Sequence, residues 1–338
     1  MRKLASIQKI IALQPIEGAD AIEKATVLGW ELVVKKGEFK VGELCIYCEI
    51  DSVLPEKPEF EFLRPRNFRV RTIRLRGQIS QGICFPISFL PTDFEIIEGN
   101  DCTDILEIIK YEAPIPASLA GLMKGGFPSF IPKTDETRVQ VLQDLLNKYQ
   151  GEKCYISEKL DGASATFYWK NGEFGVCSRN IELVEDPENT FWKVAIELDL
   201  KGKLALMNRN IALQGELVGE GIQSNKLKIK GQTVFFFNAF DIETFSYLSF
   251  LDFKQLIEKL NLKTVPILEE NYMLENNISN LVEKAKIRSS INNETWAEGI
   301  VIRPYEEIND KSFSRDLSGN GRISFKAINP EFLLKYGE

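Results

Sequence analysis

The sequence predicts two domains of different class, a small all-β barrel followed by a larger α+β domain. Three observations carry this. The length of 338 residues suits two domains at roughly 100–200 residues each. Residues 1–110 are dense in short strand patterns with turn signals, as in "IQKIIALQPIEGAD", "WELVVKKGEFKVGELCIYCEID" and "FRVRTIRLRGQISQGICFPI", where β-branched residues and alternation dominate. Beyond residue 135 helical and strand patterns interleave, so strands from distant segments must meet.

Taken in order, "MRKLASIQKIIALQPIEG" has a short apolar stretch that charges and a proline interrupt. It reads as a first strand and not as a signal peptide. The strands that follow to residue 110 suit a barrel of the OB or a related type. Residues 111–134 belong to a stretch with four prolines and three glycines, the composition of a linker. "DETRVQVLQDLLNKYQG" then predicts a helix near 135–149. Strands are expected over 153–185 and 211–243, helices at 190–200, 250–260 and 276–290, and closing strands near 298–303 and 321–327. Residues 135–338 thus form the second domain. No internal repeat or low-complexity tract is present.

Composition bounds the function. Hydrophobic content of 44% and charged content of 27% are ordinary for a globular protein, and no apolar run reaches the ~18 residues of a membrane span. A net charge of −7 argues against a globally basic nucleic-acid binder but leaves room for a local basic face. There is no histidine. That excludes Ser-His-Asp and Cys-His catalysis and His-ligated zinc, so chemistry falls to Lys, Asp, Glu, Tyr, Cys or a carboxylate-bound metal. Cys45 and Cys48 have zinc-ligand spacing, but Cys84 and Cys102 make no second close pair. On a strand, i and i+3 also face opposite sides. Structural thiols and a reducing, cytoplasmic location are expected.

The chemical signal begins at "SEKLDGASATFYW", where Glu158, Lys159, Asp161 and Gly162 open what reads as a buried strand. A lysine amine becomes a nucleophile when deprotonated, and attack on phosphorus would hold a nucleotide as a phosphoramidate. Alone, Lys-x-Asp-Gly is weak, and a solvated strand end competes with it. The series that follows changes the balance: Arg179 in "CSRNIEL", Glu216 in "QGELVGEGIQ", Phe237 and Phe240 in "FFFNAFDI", Glu298 in "EGIVIR" and Lys326 in "ISFKAIN". Together these supply an amine, cations for an α-phosphate, an aromatic for a base, and acids for a metal and a ribose.

This ordered series resembles the covalent nucleotidyltransferase superfamily of DNA ligases, RNA ligases and mRNA capping enzymes. In particular it is similar to the ATP-dependent RNA ligases of the Deinococcus/Naegleria type, which carry an N-terminal OB domain. The likeness runs over essentially the whole chain. It implies an α+β nucleotidyltransferase domain with an ATP-grasp-like ligase core, preceded by an RNA-binding OB-like barrel. It implies that Lys159 takes the adenylyl group from ATP, that Glu158 contacts the adenine amino group, and that Asp161, Glu216 and Glu298 hold hydrated Mg2+ or Mn2+, Glu216 also reaching the ribose. Arg179 would bind the ribose or acceptor nucleotide, Phe237 in preference to Phe240 would stack on adenine, and Lys326 would neutralise the α-phosphate. The reaction implied passes from lysyl-AMP to RNA-adenylate and then joins a 3′-OH to a 5′-phosphate RNA end, in RNA repair or nick sealing. DNA ligases and capping enzymes place an OB domain after the last motif, and only twelve residues follow Lys326 here. A monomer acting on RNA ends or nicked duplex, with no membrane partner, is expected.

One position departs from the pattern. The last motif usually reads Lys-x-Lys, and here it is Ser324-Phe325-Lys326; Arg322 could compensate. The alternatives are a nucleic-acid-binding module that has lost catalysis, or a DNA-sealing or GTP-capping relative. In the barrel, "LRPRNFRVRTIRLRG" alternates arginines. Arg69 and Arg71, then Arg74 and Arg76, are expected to form a phosphate-binding stripe, against the competing reading of a salt-bridged surface strand. Lys226, Lys228 and Lys230 alternate similarly.

Overall fold

The structure is a computed structural model that describes residues 3–112, 121–314, 317 and 321–336. The first domain contains β1 (Ala5–Pro15), β2 (Ile22–Val27), β3 (Trp30–Lys35), β4 (Leu44–Cys48) and β5 (Ser52–Val53). It continues with β6 (Thr72–Leu75), β7 (Gln78–Gln81), β8 (Ile83–Pro86) and β9 (Ile109–Lys110). Five of these strands form one sheet in the order β3-β2-β1-β4-β8. The long β1 pairs with β4 through Ala5–Lys9 and with β2 from Ile10 onward, with a register shift between Ile10 and Ala12. A bulge at that point bends the strand and lets the sheet curl. The curl encloses Ile7, Ile10, Trp30, Leu32, Ile46 and Tyr47. All six thiols are free and buried, Cys45 lying 3.4 Å from Cys84.

The arginine-rich segment does not form the expected continuous strand. A 3-10 helix occupies Pro58–Arg66, Asn67 and Phe68 have φ of 50° and 57°, and the strand starts only at Thr72. Burial of Phe68 and Val70 in the barrel core fixes this path.

The second domain begins with β10 (Met123–Gly126), β11 (Thr137–Arg138), α1 (Gln143–Lys148), β12 (Lys153–Lys159) and β13 (Ala163–Lys170). Next come β14 (Glu173–Cys177), β15 (Ile181–Leu183), α2 (Thr190–Glu197), α3 (Leu200–Ala205) and β16 (Ile211–Gly219). Then follow β17 (Gln232–Asp241), β18 (Ser246–Tyr247), α4 (Phe250–Lys259), β19 (Ile267–Met273) and α5 (Ile278–Lys284). It ends with β20 (Gly299–Pro304), β21 (Phe325–Ile328) and α6 (Pro330–Tyr336). Two sheets result, ordered β10-β15-β14-β13-β16-β17-β18 and β11-β21-β20-β12-β19. One face of the larger sheet packs Phe167, Leu213 and Phe236 against Trp192 of α2 and Ile257 of α4. One face of the smaller sheet packs Ile156, Ile300, Ile302 and Phe325 against Leu145 and Leu281. Strand alternation sends the remaining side chains, many of them polar, to the opposite faces, where Lys159, Glu216 and Lys326 gather.

Three boundaries differ from the sequence reading. Part of the expected linker, residues 113–120, lies outside the described residues, but Met123–Gly126 is an edge strand paired with β15. The helix expected from 135 starts at Gln143, because Thr137 and Arg138 pair in parallel with Phe325 and Lys326. The helix expected over 276–290 is confined to Ile278–Lys284, capped by the side chain of Asn277. The domains touch through the Gly29 amide donating to the Gln140 carbonyl at 2.9 Å and through Arg74–Glu331 at 2.8 Å.

Candidate active site

The centre of the site is the end of β12. Lys159 pairs there with Gly299, and its Nζ donates to Glu298 Oε2 at 2.6 Å. Burial opposes the ammonium charge, but the carboxylates of Glu298, Glu216 and Asp161 outweigh it and hold the Lys159 pKa above its ordinary value. Glu216 stands on β16 directly opposite Ser164 of β13. Burial, with Glu298 and Asp161 adding to it against the pull of Lys159, pushes Glu216 up to about 8. Lys326 faces the same group from β21, opposite Val301. Burial first, then the charges of Lys159 and Arg138, lower it to about 7. Among the described residues the Lys326 ammonium has no hydrogen-bond or ion-pair partner, which suits it to an anionic ligand.

Two glycines make this approach possible. A Cβ on Gly162 would lie 2.4 Å from the Leu217 carbonyl, and one on Gly299 would lie 2.2 Å from the Ala327 carbonyl. The motif glycine therefore serves close backbone packing of β13 on β16. Asp161 is turned onto Lys226 at 2.7 Å, a buried pair whose ammonium lies over the rings of Phe332 and Tyr336 in α6.

The nucleoside candidates lie around this centre. Phe237 is the extra residue where the β16–β17 register shifts, since Gln214 faces Asn238 while Gly215 faces Phe236. A bulge re-aims its side chain. Phe237 is half-buried beside the small cluster of Leu160, Val218 and Val265. Phe240 is fully buried with Tyr168, Ala212 and Ile131 and belongs to the core. Glu158 is 1% exposed. Its Oε2 accepts the Ser290 amide at 2.8 Å, while Oε1 is buried without a partner, an arrangement that asks for a donor. Arg179 is exposed and ion-paired with Asp135, which also faces Lys110 at 3.7 Å.

Asp161, Glu216 and Glu298 offer only hard carboxylate oxygens, the donor set for Mg2+ or Mn2+. Among the described residues no three His, Cys, Asp or Glu side chains converge closely enough to ligate an ion directly. The set fits an ion held through its water shell.

The arginine stripe is not an open row. Arg69 donates to Asp51 at 2.6 Å and lies over Tyr111, and Arg74 is spent on Glu331. Arg71 is half-buried and engaged, while Arg76 is exposed at a turn with φ of 49°. Lys228 pairs with Glu294, and Lys230 is exposed. Sequence reasoning passes over Arg138, Glu136 and Arg303. The signal for Arg303 is an arginine inside the apolar run "GIVIRP".

A family model for RNA ligase matches residues 152–328, and one for an OB-fold domain matches residues 4–87. Among solved structures, Naegleria gruberi RNA ligase with pyrophosphate is 38% identical with a TM-score of 0.89, covering 100% of this chain and 99% of that one. Single-residue variants of that ligase, one with ATP and manganese and one with AMP and manganese, match at 38% identity and a TM-score of 0.88. Each of these covers 98% of both chains. No curated protein matches in a sequence comparison.

Proposed function

The chain belongs to the RNA ligase family, and from that premise we propose how the residues of this ATP-dependent RNA ligase divide the work. The observation that carries the reading is Lys159 Nζ, held at 2.6 Å by Glu298 with Glu216 and Asp161 near, facing the unpartnered Lys326. Lys159 attacks the α-phosphate of ATP. The Nζ–P bond forms, the bond from phosphorus to the bridging oxygen breaks, and pyrophosphate leaves. The adenylyl group then passes to an RNA 5′-phosphate, and a 3′-OH displaces AMP.

As found, Lys159 is held protonated by its carboxylates, and a protonated amine does not attack. Asp161, Glu216 and Glu298 would hold a hydrated divalent cation through its water shell, and its positive charge would favour the neutral amine and offset the phosphate charge. Lys326 takes the charge developing on the α-phosphate. Phe237 stacks on adenine, and the unpaired Glu158 Oε1 accepts the adenine amino group, which a guanine carbonyl cannot replace. Arg179 at the exposed edge meets the ribose or the acceptor nucleotide.

The reading extends to a monomer that seals nicked RNA duplexes in the cytoplasm; the six free, buried thiols suit a reducing compartment. Intact-mass measurement after incubation with magnesium and ATP tests the core of it. Wild type should gain one AMP and Lys159→Ala none. A gain of AMP by the variant contradicts the assignment. Sealing of a nicked RNA duplex, compared with nicked DNA and with single strands, tests the substrate.

A further inference from the structure

The three alternating lysines of the β16–β17 connection do not share a fate. Lys228 is exposed and pairs with Glu294, and Lys230 is exposed. The Lys226 side chain is only 9% exposed and that of Asp161 only 8%. Three other segments, far apart in sequence, meet on this lysine. Its Nζ donates to Asp161 Oδ2 at 2.7 Å. Its ammonium lies 5.1 Å from the ring centre of Phe332 and 5.3 Å from that of Tyr336, within cation–π range. Its carbonyl accepts from Asn292 Nδ2 at 3.3 Å, and the Tyr336 hydroxyl bonds Thr295 of the same loop. The connection that carries Lys226 is itself strained and tied down. Gln223, Asn225 and Lys228 have φ of 47°, 43° and 54°, a left-handed backbone that residues other than glycine adopt reluctantly. Asn225 exchanges hydrogen bonds with the carbonyl and amide of Ile229 at 3.0 and 3.1 Å, and Leu227 is buried with Leu160 and Val218. Gln223 Nε2 donates to the Gly162 carbonyl at 3.2 Å. The connection thus grips Asp161 by its side chain and Gly162 by its backbone.

We propose that Lys226 is a positioning residue for lysine adenylylation: its buried ammonium holds the Asp161 carboxylate in one orientation and keeps it from closing on Lys159. The Lys159 ammonium is already taken by Glu298 at 2.6 Å, and Asp161 follows it by two residues. Without Lys226, a buried carboxylate so close in the chain would turn to the Lys159 ammonium, because a buried charge left unpaired is strongly unfavourable. A lysine tied by two carboxylates is not free to reach a phosphate. A buried ion pair is weak evidence of stabilisation, since apolar residues of the same shape often do as well. A strained loop that maintains such a pair beside the reacting lysine therefore points to position. The contacts proposed for the nucleotide, through Phe237, Glu158 and Lys326, do not involve Lys226, so its removal acts on the reaction and not on ATP binding.

This proposal rests on Lys159 as the adenylylated residue, and its test separates the two readings. Wild type, Lys226→Met and Phe332→Leu are compared by thermal unfolding, by calorimetric ATP affinity, and by the single-turnover rate of lysyl-AMP formation as a function of ATP concentration. Methionine keeps an unbranched stem against the two rings and removes the charge. Lys226→Met should bind ATP as wild type does and form lysyl-AMP about 10–100-fold more slowly at saturating ATP, the usual loss when a partner that orients a carboxylate in such a site is removed. Phe332→Leu loosens the packing of α6 but leaves the cation, so it should lower the Tm and label at close to the wild-type rate. If Lys226→Met labels like wild type at saturating ATP, or its loss lies in ATP affinity alone, the proposal is overturned while wild-type labelling preserves the site. If Phe332→Leu slows labelling as much as Lys226→Met does, the lysine charge is not the cause and the proposal is overturned as well. If wild type forms no lysyl-AMP, both readings fall. Should Lys226→Met unfold by leaving Asp161 buried without a cation, the neutral Lys226→Gln, which still offers Asp161 an N–H, replaces it and is read against the same expectation.

Discussion

Lys326 provides a prediction with a sign that follows from its surroundings. Burial and the neighbouring cations Lys159 and Arg138 lower its pKa to about 7. At pH 8 roughly nine-tenths of the side chain is then neutral, and at pH 6 about one-tenth. A bound anion restores the ordinary lysine range, so binding pulls a proton from solvent. Pyrophosphate added without metal should therefore take up about 0.9 proton through Lys326 at pH 8 and about 0.1 at pH 6. Glu216, pushed up to about 8, also titrates here. The quantity to read is thus the difference between wild type and Lys326→Met, measured calorimetrically in buffers of different ionisation heat. Equal proton uptake in the two proteins at pH 8 would refute the reasoning. The same displacement has a stability consequence. Between pH 7 and about 10 the unfolded chain holds a proton here that the folded chain does not, so stability rises with pH through that window. Below pH 7 both states are protonated and the slope vanishes. Moving from 10.5 to about 7 corresponds to on the order of 5 kcal/mol, which Lys326→Met should largely remove from the pH dependence of urea unfolding.

Gly299→Ala should cost about 2–4 kcal/mol in urea unfolding, because its Cβ would meet the Ala327 carbonyl at 2.2 Å; a loss under half a kcal/mol contradicts the packing argument. Phe237→Leu should raise the KM for ATP at nearly unchanged Tm, whereas Phe240→Ala should lose about 3–5 kcal/mol of stability, and steady-state kinetics with thermal melts distinguish the two. Arg74 and Glu331 are each more than a third exposed, so a double-mutant cycle should give a coupling below about 1 kcal/mol that fades with salt. A larger, salt-insensitive coupling would contradict a surface tie.

What the sequence made legible follows its periodicities. Strong alternation marked the barrel and the long strands β13, β16 and β17. Lys159, Asp161, Glu216, Glu298 and Lys326 stand out in the sequence because each is a charge in or beside a strand whose other face is plainly apolar. The rest escaped for stated physical reasons. Met123–Gly126 reads as linker because a short, exposed edge strand that is half glycine needs only one partner, β15, and little burial. Thr137 and Arg138 read as helix because two residues of parallel pairing leave no periodic trace beside the apolar spacing of Val139, Leu142, Leu145 and Leu146. The alternation of buried Phe68, Val70 and Thr72 with Arg69 and Arg71 is present, but the partners that engage the arginines were not legible, since Asp51 lies 18 residues away from Arg69 in sequence and Glu331 lies in the other domain from Arg74. Arg303 and Glu136 are 167 residues apart, a distance across which a single sequence carries no pairing signal.

The most direct test of the account is the site of covalent labelling. Purified protein is incubated with magnesium and ATP labelled at the α-phosphate, with GTP and NAD in parallel, and resolved on a denaturing gel. The account predicts one covalent band, with ATP alone, that disappears in Lys159→Ala while that variant stays folded. A band that persists in folded Lys159→Ala, or no band from folded wild type free of pre-bound AMP, would contradict it.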